Sequence, residues 1–271
     1  MCEMEKKTSG ISANLPKEVP GSLSVNASDE SREWICGRGA VLEALKGERA
    51  ADTLYLAKGA ENLSHLAAIA KARGITVKDT DRKKLDLLSG GANHQGVMLR
   101  IAALPYAEVP DILAAAAEKG EQPFLLLCDG IEDPHNLGAL LRTAEAAGVH
   151  GVIIPKRRQT GLTWAACKAA AGAAEHMPVA RTANLTQCIT DLKQKGIWVY
   201  GADMSGTDYR KQDFSGGAAL VIGAEGQGLS RLVKENCDVL VSLPMRGKIN
   251  SLNASVAGGI LMYAIAVSRE Q

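Results

Sequence analysis

The stretch "AALVIGAEGQGLS" (residues 218–230) decides the fold class, because it runs from an apolar segment through a glycine-rich loop toward a helix. A short, continuous apolar run is typical of a strand that is buried on both faces of a sheet. Gly223, Gly226 and Gly228 permit a sharp turn and a close approach of the backbone to a ligand. We therefore predict a buried parallel strand that leads through a tight loop into a helix.

The spacing of these glycines, G-x-x-G-x-G, argues against a nucleotide-dependent oxidoreductase. The dinucleotide fingerprint is G-x-G-x-x-G on the first strand-to-helix turn, and the phosphate loop ends in G-K-[ST]. Glu225 is the unusual member of the loop, since a carboxylate among three glycines has few structural roles beyond capping the next helix.

Further apolar runs alternate with alanine-rich helical segments between residue 123 and the end of the chain. These runs are FLLLC (124–128), GVIIP (151–155), MPVAR (177–181), IWVYGAD (197–203) and VLVSLP (239–244). Apolar strands that alternate with helices predict an α/β domain, residues 123–271, with a parallel sheet covered on both faces.

A smaller alternating unit precedes this domain. Residues 33–104 read as short strands and helices of their own, and the proline-bearing segment "LPYAEVPDILAAAAEKGEQP" suggests a connection over residues 105–122 with one short helix. Residues 1–32 are rich in Ser, Asn, Glu and Lys, and we expect a disordered tail there.

Composition limits the functional classes. The 31 basic and 30 acidic side chains leave a formal charge of +1, so any polyanion site must be local. The six cysteines lie far apart, without a pair or histidine at metal-ligand spacing, and we expect reduced thiols and no metal. The N-terminal residues lack an apolar signal segment, and no apolar run is long enough to span a bilayer. We therefore expect a cytoplasmic protein that does not bind membranes.

Two polar motifs have structural explanations when each is taken alone. In "CDGIEDPHNLGALLRTAEAAG" (128–148), Asn136 is a natural helix N-cap, and Arg142 lies off the apolar stripe as a solvated side chain. In "KINSLNASVAGGI" (248–260), Ser251 and Asn253 suit the cap of a helix.

The helix that follows is predicted to be buried along one apolar stripe. Its members are Leu252, Val256, Ile260, Tyr263 and Val267. Gly258 and Gly259 within it would let another backbone approach closely. The four polar side chains Asn250, Ser251, Asn253 and Ser255 exceed what one cap needs.

Taken together, the motifs resemble the SpoU (TrmH) family of RNA ribose 2′-O-methyltransferases. The first is N-x-x-x-x-x-R-T-A, carried by Asn136, Arg142, Thr143 and Ala144. The second is I-G-x-E-G-x-G, carried by Gly223, Glu225, Gly226 and Gly228. The third is P-M-x-G-x-x-x-S-L-N-x-S, carried by Pro244, Met245, Ser251, Leu252, Asn253 and Ser255. The similarity runs from about residue 123 to the end.

The smaller unit resembles the RNA-binding domain, similar to ribosomal protein L30, that precedes the catalytic domain in many members. "ICGRGAVLEAL" (35–45) and "HQGVMLRI" (94–101) carry this likeness, which is closest to the 23S rRNA guanosine 2′-O-methyltransferase subgroup.

The resemblance implies a C-terminal trefoil knot, S-adenosylmethionine as cofactor and a homodimer whose sites form at the subunit interface. By carry-over, the cofactor would contact Gly223, Leu243, Met245 and Leu252. Arg142 would grip the RNA phosphate and stabilise developing alkoxide charge, since a guanidinium stays protonated. The other expected catalytic residues, which would orient Arg142, the ribose and the cofactor, are Asn136, Glu225, Ser251 and Asn253.

RNA contact is expected at two local basic clusters, whose alternative role is an ordinary solvated surface. They are Arg82, Lys83 and Lys84, and Lys156, Arg157 and Arg158. Three other functions stay open besides 23S rRNA methylation: a tRNA ribose 2′-O-methyltransferase, an antibiotic-resistance rRNA methyltransferase, and a non-catalytic RNA-binding factor in ribosome assembly.

Overall fold

The computed structural model of the chain describes residues 32–47 and 49–269. The tail expected over residues 1–32 lies outside the described residues apart from Arg32, at which the first strand begins.

The N-terminal part of the described chain forms a four-stranded sheet in the order β1-β4-β2-β3. Its elements are β1 (Arg32–Cys36), α1 (Arg38–Lys46), β2 (Ala51–Ala57), α2 (Ser64–Ala72), β3 (Thr76–Thr80), α3 (Arg82–Leu88) and β4 (Val97–Ala102). β2 and β3 are parallel, whereas β4 pairs antiparallel with both β1 and β2. The alternation of short strands and helices expected over residues 33–104 is present in these elements.

The C-terminal part forms a six-stranded sheet in the order β10-β8-β9-β5-β6-β7, in which every strand pair is parallel. The strands are β5 (Phe124–Asp129), β6 (Gly151–Pro155), β7 (Val179–Thr182), β8 (Trp198–Asp208), β9 (Ala218–Gly223) and β10 (Val239–Ser242). The helices are α4 (Val109–Glu118), α5 (Pro134–Ala146), α6 (Trp164–Ala169), α7 (Leu185–Gln194), α8 (Arg231–Asn236) and α9 (Ala254–Arg269). The predicted parallel α/β domain is therefore confirmed.

Helices cover both faces of this sheet, as the continuous apolar strands require. Along β5, Leu126 packs in one cluster with Leu140 of α5 and Leu261 of α9. The adjacent Leu127 points to the other cluster, with Ile189 of α7. Side chains alternate between the faces of a strand, so a strand covered twice must be apolar at every position.

The segment expected to connect the two sheets is packed onto the larger one. Ala107 forms a parallel bridge with Ala180, and Leu162 donates its backbone N–H to the Tyr106 hydroxyl at 3.0 Å. Ile112 of α4 is buried, and it fills the space that a side chain at Gly151 would need.

The smaller sheet contacts α6 through an interface of polar side chains, whose buried groups have few hydrogen-bond and ion-pair partners. Glu33 of β1 accepts a hydrogen bond from the backbone of Trp164 and lies 3.5 Å from Arg49. Burial raises the pKa of Glu33, against the lowering effect of these two partners. Lys168 of α6 forms an ion pair with Glu43 of α1 at 2.6 Å.

The predicted apolar stripe of α9 is wrong, because it faces away from the sheet. Val256, Ile260, Tyr263 and Val267 are 50%, 40%, 49% and 52% exposed. The buried face consists of Ala254, Gly258, Leu261, Met262 and Ile265. α9 is apolar on nearly all sides, so periodicity alone selected the wrong face, and the helix leaves an unpaired apolar stripe on the surface.

No helix within the described ranges is long and apolar enough to cross a membrane. The cysteines of the same ranges are free thiols. Burial raises the pKa of the Cys128 thiol to about 12, with a smaller contribution from Asp129.

Candidate active site

The loop that follows β9 is folded tightly on itself. Ala224 and Gly228 exchange two backbone hydrogen bonds, at 3.1 and 2.8 Å. A Cβ at Gly223 would lie 2.2 Å from the carbonyl carbon of Gly228, so only glycine fits there. Gly226 and Gly228 have positive φ angles of 78° and 68°, which glycine adopts at little cost. The loop thereby presents Glu225 at the carboxyl edge of the sheet.

Glu225 joins two asparagines from distant parts of the chain. Its Oε2 accepts hydrogen bonds from Nδ2 of Asn136 at 3.1 Å and from Nδ2 of Asn253 at 3.3 Å. Asn253 Nδ2 also lies 2.8 Å from Asn136 Oδ1. We call these three residues the amide–carboxylate cluster. The structure brings them together as one polar unit, although they come from three separate sequence motifs.

Asn136 is not the N-cap that its sequence position suggested. α5 begins at Pro134, and the cap is Asp133, whose side chain accepts a hydrogen bond from the backbone N–H of His135 at 2.9 Å. Because the helix starts earlier, Asn136 falls in its first turn and is only 7% exposed. A buried amide needs partners, and Glu225 and Asn253 supply them.

Asn253 combines a cap with its place in the cluster. Its Oδ1 accepts hydrogen bonds from the backbone N–H groups of Ser255 at 2.9 Å and Val256 at 3.3 Å, at the start of α9. The Ser255 hydroxyl donates to the same oxygen at 2.6 Å. The oxygen is thus fixed by α9, and this orientation aims the Nδ2 group at Asn136 and Glu225.

A cleft opens where β8, β9 and β10 end, and we call it the β9–β10 cleft. It has a volume of about 240 Å³. Its walls include all four residues that the sequence resemblance assigned to the cofactor: Gly223, Leu243, Met245 and Leu252. Ser251 and Glu225 also line it.

A second cleft lies on the other side of the glycine loop, and we call it the arginine cleft. Asn136, Arg157 and Arg158 line it together with Asp129 and Ser230. Glu225 and its neighbours Ala224, Gln227 and Gly228 belong to both clefts, so the loop is their shared wall. Of the two expected RNA-binding clusters, the one at residues 156–158 therefore contributes two exposed arginines beside the amide–carboxylate cluster.

Arg142 occupies a different position from the other expected catalytic residues. It lies on α5 with its side chain exposed, and within the described residues it is not part of the wall of either cleft. The next residue, Thr143, packs toward α9, since a Cβ at Gly259 would lie 3.5 Å from Thr143 Cγ2. Arg142 thus lies on the exposed side of α5, one residue before the contact of Thr143 with α9.

Sequence reasoning missed Asp203 and Met204, which both line the β9–β10 cleft. Asp203 Oδ1 accepts hydrogen bonds from the backbone N–H and the hydroxyl of Ser205, at 2.9 and 2.6 Å, and pairs with Lys234 Nζ at 2.9 Å. Partial burial raises the pKa of Asp203, but the hydrogen bonds from Lys234 and Ser205 outweigh it and lower the pKa overall. Asp203 ends the apolar run IWVYGAD (197–203), but the sequence does not mark the strand bulge in which it lies.

Comparison with protein families gives two matches that cover both sheets. Residues 123–263 match the SpoU rRNA Methylase family, and residues 34–107 match the family described as RNA 2′-O ribose methyltransferase substrate binding. The second match falls on the smaller sheet.

Curated relatives match over most of the chain. A Bacillus subtilis (strain 168) protein assigned by name to the TrmH family of tRNA/rRNA methyltransferases is 49% identical over 239 residues, covering 87% of this chain and 96% of its own. A Staphylococcus haemolyticus protein of the same assignment is 43% identical over 240 residues, covering 88% and 96%.

Among solved structures, an S-adenosylmethionine-bound rRNA methyltransferase from Sinorhizobium meliloti superimposes with a TM-score of 0.60. It is 25% identical, and the match covers 88% of each chain.

Proposed function

The chain belongs to the SpoU rRNA methylase family, and on that premise we propose that it methylates the ribose 2′-hydroxyl of a guanosine in 23S rRNA. The reaction class is that of an RNA 2′-O-ribose methyltransferase that uses S-adenosylmethionine. The observation that carries the site assignment is the amide–carboxylate cluster, which stands between two clefts.

The β9–β10 cleft fits the cofactor by its shape and its chemistry. Gly223 contributes only backbone atoms to the wall, because a side chain there would collide with the backbone of Gly228. Leu243, Met245 and Leu252 supply apolar walls. Bound S-adenosylmethionine supplies an electrophilic methyl group on a sulfonium centre. We assign the four residues Gly223, Leu243, Met245 and Leu252 to holding it.

The arginine cleft is the proposed place of the target nucleotide. Arg157 and Arg158 would hold phosphates there, and Glu225 and Asn136 would orient the ribose. Asn253, which donates hydrogen bonds to both, would hold them in place. Ser251, on the wall of the cofactor cleft, is assigned to the same task. Positioning of a weak hydroxyl nucleophile supplies much of the rate in such a reaction.

Arg142 has the proposed role of gripping the phosphate of the target nucleotide and stabilising the charge that develops on the hydroxyl oxygen. A guanidinium suits this role because it stays charged and donates several hydrogen bonds. It is a poor proton acceptor, so we assign the proton of the hydroxyl to the RNA phosphate.

A homodimer completes this arrangement. The exposed stripe of Val256, Ile260, Tyr263 and Val267 on α9 gives the chain an apolar surface for a second copy. We propose that dimer formation through this stripe brings the exposed Arg142 of one subunit toward the clefts of its partner. A two-fold interface of this kind uses the same patch on both subunits.

The remaining assignments follow the family. We propose that residues 33–104 bind the RNA substrate, that residues 105–122 connect, and that residues 123–271 form the knotted methyltransferase domain in the cytoplasm. The knot is carried over from the family; in this chain α9 follows β10 and packs Gly258 against Leu140 of α5 and Ile222 of β9. The basic cluster at residues 82–84 is exposed on α3 of the RNA-binding part.

Ribose methylation mapping tests the substrate assignment. Total rRNA and tRNA from cells with and without the gene would be compared for 2′-O-methylated nucleotides, and purified protein would then methylate unmodified transcripts with radiolabelled cofactor. We expect loss of one 23S rRNA guanosine modification. Loss of a tRNA modification instead would favour the tRNA activity, which the tRNA/rRNA names of the relatives also allow. Absence of any methyl transfer alongside retained RNA binding would favour the assembly factor.

Salt dependence tests the arginine cleft. Arg157→Gln with Arg158→Gln is expected to weaken RNA binding and to reduce the slope of log affinity against log salt by about 0.7 to 0.9 for each phosphate that is no longer neutralised. A triple change of Arg82, Lys83 and Lys84 to Gln measures the other cluster separately. An unchanged slope would assign the altered cluster to ordinary solvated surface.

A further inference from the structure

Asp203 projects from an irregular part of β8 that faces the β9–β10 cleft. While β10 advances one step, from Leu240 to Val241, its partner β8 advances from Gly201 to Thr207. The intervening residues therefore bulge out of the ladder. Bulges of this kind redirect side chains and are common beside active sites.

Glycine makes the bulge possible at its return point. A Cβ at Gly206 would lie 2.5 Å from the carbonyl oxygen of Leu240, so β8 can rejoin β10 only with glycine at this position. Gly201 pairs with Val221 of β9 before the bulge begins. Asp203 lies two positions beyond Gly201, as Gly223 lies two positions beyond Val221, so both residues stand at the same edge of the sheet.

The carboxylate of Asp203 is held by one of its two oxygens. Oδ1 accepts both hydrogen bonds from Ser205 and the ion pair from Lys234 of α8. The side chain is 17% exposed, and the residue lines the cleft. The hydrogen bonds and the ion pair found for this carboxylate within the described residues fall on Oδ1, and Asp203 lines the cleft, so Oδ2 is the oxygen left for a ligand.

We propose that Asp203 Oδ2 accepts a hydrogen bond from a donor group of S-adenosylmethionine in the β9–β10 cleft. This inference rests on the proposed cofactor assignment and extends it to a residue outside the three family motifs. The cofactor carries three kinds of suitable donor, the amino group of its adenine, the hydroxyls of its ribose and the ammonium of its methionine tail. An ionised carboxylate suits each of them, and the lowered pKa of Asp203 keeps it ionised at neutral pH.

The structure offers a precise substitution for this test. In Asp203→Asn, the three donor groups of Ser205 and Lys234 keep the amide oxygen at the place of Oδ1. The amide NH2 group then takes the place of Oδ2. The change converts the free acceptor into a donor and keeps a hydrogen-bond acceptor for Ser205 and Lys234, although the charge that pairs with Lys234 is lost. Asp208→Asn is the matched control, since Asp208 lies on the same strand and its carboxylate pairs with Arg210 rather than lining the cleft.

Calorimetric titration of the full-length protein with S-adenosylmethionine and with 5′-methylthioadenosine is the deciding measurement. The second compound keeps the adenine and ribose but lacks the amino-acid tail. We expect Asp203→Asn to weaken S-adenosylmethionine binding by about tenfold to a hundredfold, the range of a hydrogen bond to a charged group, and Asp208→Asn to leave it unchanged. Equal weakening for both compounds places the donor on the adenosine part, its ribose or its adenine, and weakening for S-adenosylmethionine alone identifies the ammonium.

Unchanged binding of both compounds by Asp203→Asn would overturn the inference while leaving the cofactor assignment intact. Failure of the wild-type protein to bind S-adenosylmethionine would reject the cofactor assignment itself. Thermal unfolding checks that the variant is folded. If Asp203→Asn is unfolded, Asp203→Ser provides the second variant, because its shorter hydroxyl does not reach the place of Oδ2.

Discussion

Asn253 donates a hydrogen bond from Nδ2 to Oδ1 of Asn136 at 2.8 Å, across a separation of 117 positions in the chain. The bond joins the first turn of α5 to the residue before α9. Each helix start is thereby fixed relative to the other and to Glu225 between them.

Asn253→Ala should lower the free energy of unfolding by about 1 to 2 kcal/mol, because α9 loses its cap and Asn136 loses a partner. Asn253→Asp should keep the cap but place a second carboxylate against Glu225, so methyl transfer should fall while the helix start is retained. Urea unfolding and a methyl-transfer assay measure the two effects. Asn236→Ala, which removes a side-chain bond at the exposed end of α8, is the control. Equal destabilisation by Asn253→Ala and Asn236→Ala would contradict the special role of Asn253.

Gly223→Ala should weaken cofactor binding and destabilise the fold by about 1 to 3 kcal/mol, the usual cost of overpacking. The new methyl group would lie 2.4 Å from the backbone nitrogen of Leu229, so the loop must open. Gly39→Ala is the control, since a Cβ there meets nothing within 4 Å and the helix α1 gains a better helix former. Binding is measured by calorimetry. A Gly223→Ala protein that binds S-adenosylmethionine normally would refute the close-packed loop as part of the site.

Arg142→Ala should reduce methyl transfer by about a hundredfold or more, the scale seen when one charge-stabilising donor is removed. Cofactor affinity and unfolding free energy should stay the same, because the side chain is exposed and lies outside the β9–β10 cleft. Single-turnover assays and calorimetry separate these effects. Arg231→Ala removes another exposed arginine, paired with Glu235 on α8, and should leave turnover intact. Normal turnover by Arg142→Ala would remove this residue from the mechanism.

Ile260→Glu should dissociate the proposed homodimer, because it puts a charge in the middle of the apolar stripe. The monomer should stay folded, since Ile260 is 40% exposed in the single chain. Sedimentation velocity measures the mass, and Leu232→Glu, at a residue 54% exposed on α8, is the control. A wild-type protein that sediments as a monomer, or a mutant that stays dimeric, would show that the stripe serves another purpose.

The protein should lose stability as the pH falls below about 6.5, in part through His150. Its Nδ1 accepts the backbone N–H of Phe124 at 3.0 Å, so the buried ring is held neutral. Burial lowers the pKa of His150, against the raising effect of Glu121. As the pH falls, the unfolded chain, with its ordinary histidine pKa of about 6.5, therefore binds the proton before the folded chain does. The stability that this residue contributes is present above about pH 6.5 and is lost as the pH falls to the lower pKa of the folded state. In urea unfolding from about pH 8 to 5, the free energy of unfolding of His150→Gln should depend less steeply on pH than that of the wild-type protein. Identical slopes would exclude the contribution of this residue.

The strands of the larger sheet were predictable because burial on both faces forces apolar residues at every position, as in Leu125, Leu126 and Leu127. The smaller sheet was predictable from the alternation of short strands and helices, although β3 is mostly exposed and carries Lys78 and Asp79, and β1 begins with the charged residues Arg32 and Glu33. Local composition carries this information, and no long-range contact is needed to find it.

The orientation of α9 was not predictable, because apolar residues lie on both of its sides. Ile260 and Leu261 are neighbours with similar side chains, yet Leu261 is 1% exposed and Ile260 is 40% exposed. Gly258 decides the face, since it lets the helix approach Leu140. That contact depends on tertiary packing, which periodicity does not contain.

The residues of the site could be predicted from the sequence, but their arrangement in space could not. The resemblance singled out Asn136, Glu225 and Asn253, but isolated sequence rules assigned two of them to helix caps. Only the fold shows that the cap of α5 is Asp133, which frees Asn136 for Glu225. Asp203 was not predicted as a site residue, because its position depends on a strand bulge that the sequence does not mark.

The glycine loop of residues 224–228 separates the two clefts by the thickness of a single backbone turn. A molecule bound in one cleft would contact the same loop residues as a molecule bound in the other cleft. If binding in one cleft shifts this loop, it changes the affinity in the other, and the two effects are then equal in free energy. Cofactor and RNA would then meet the enzyme as thermodynamically linked partners.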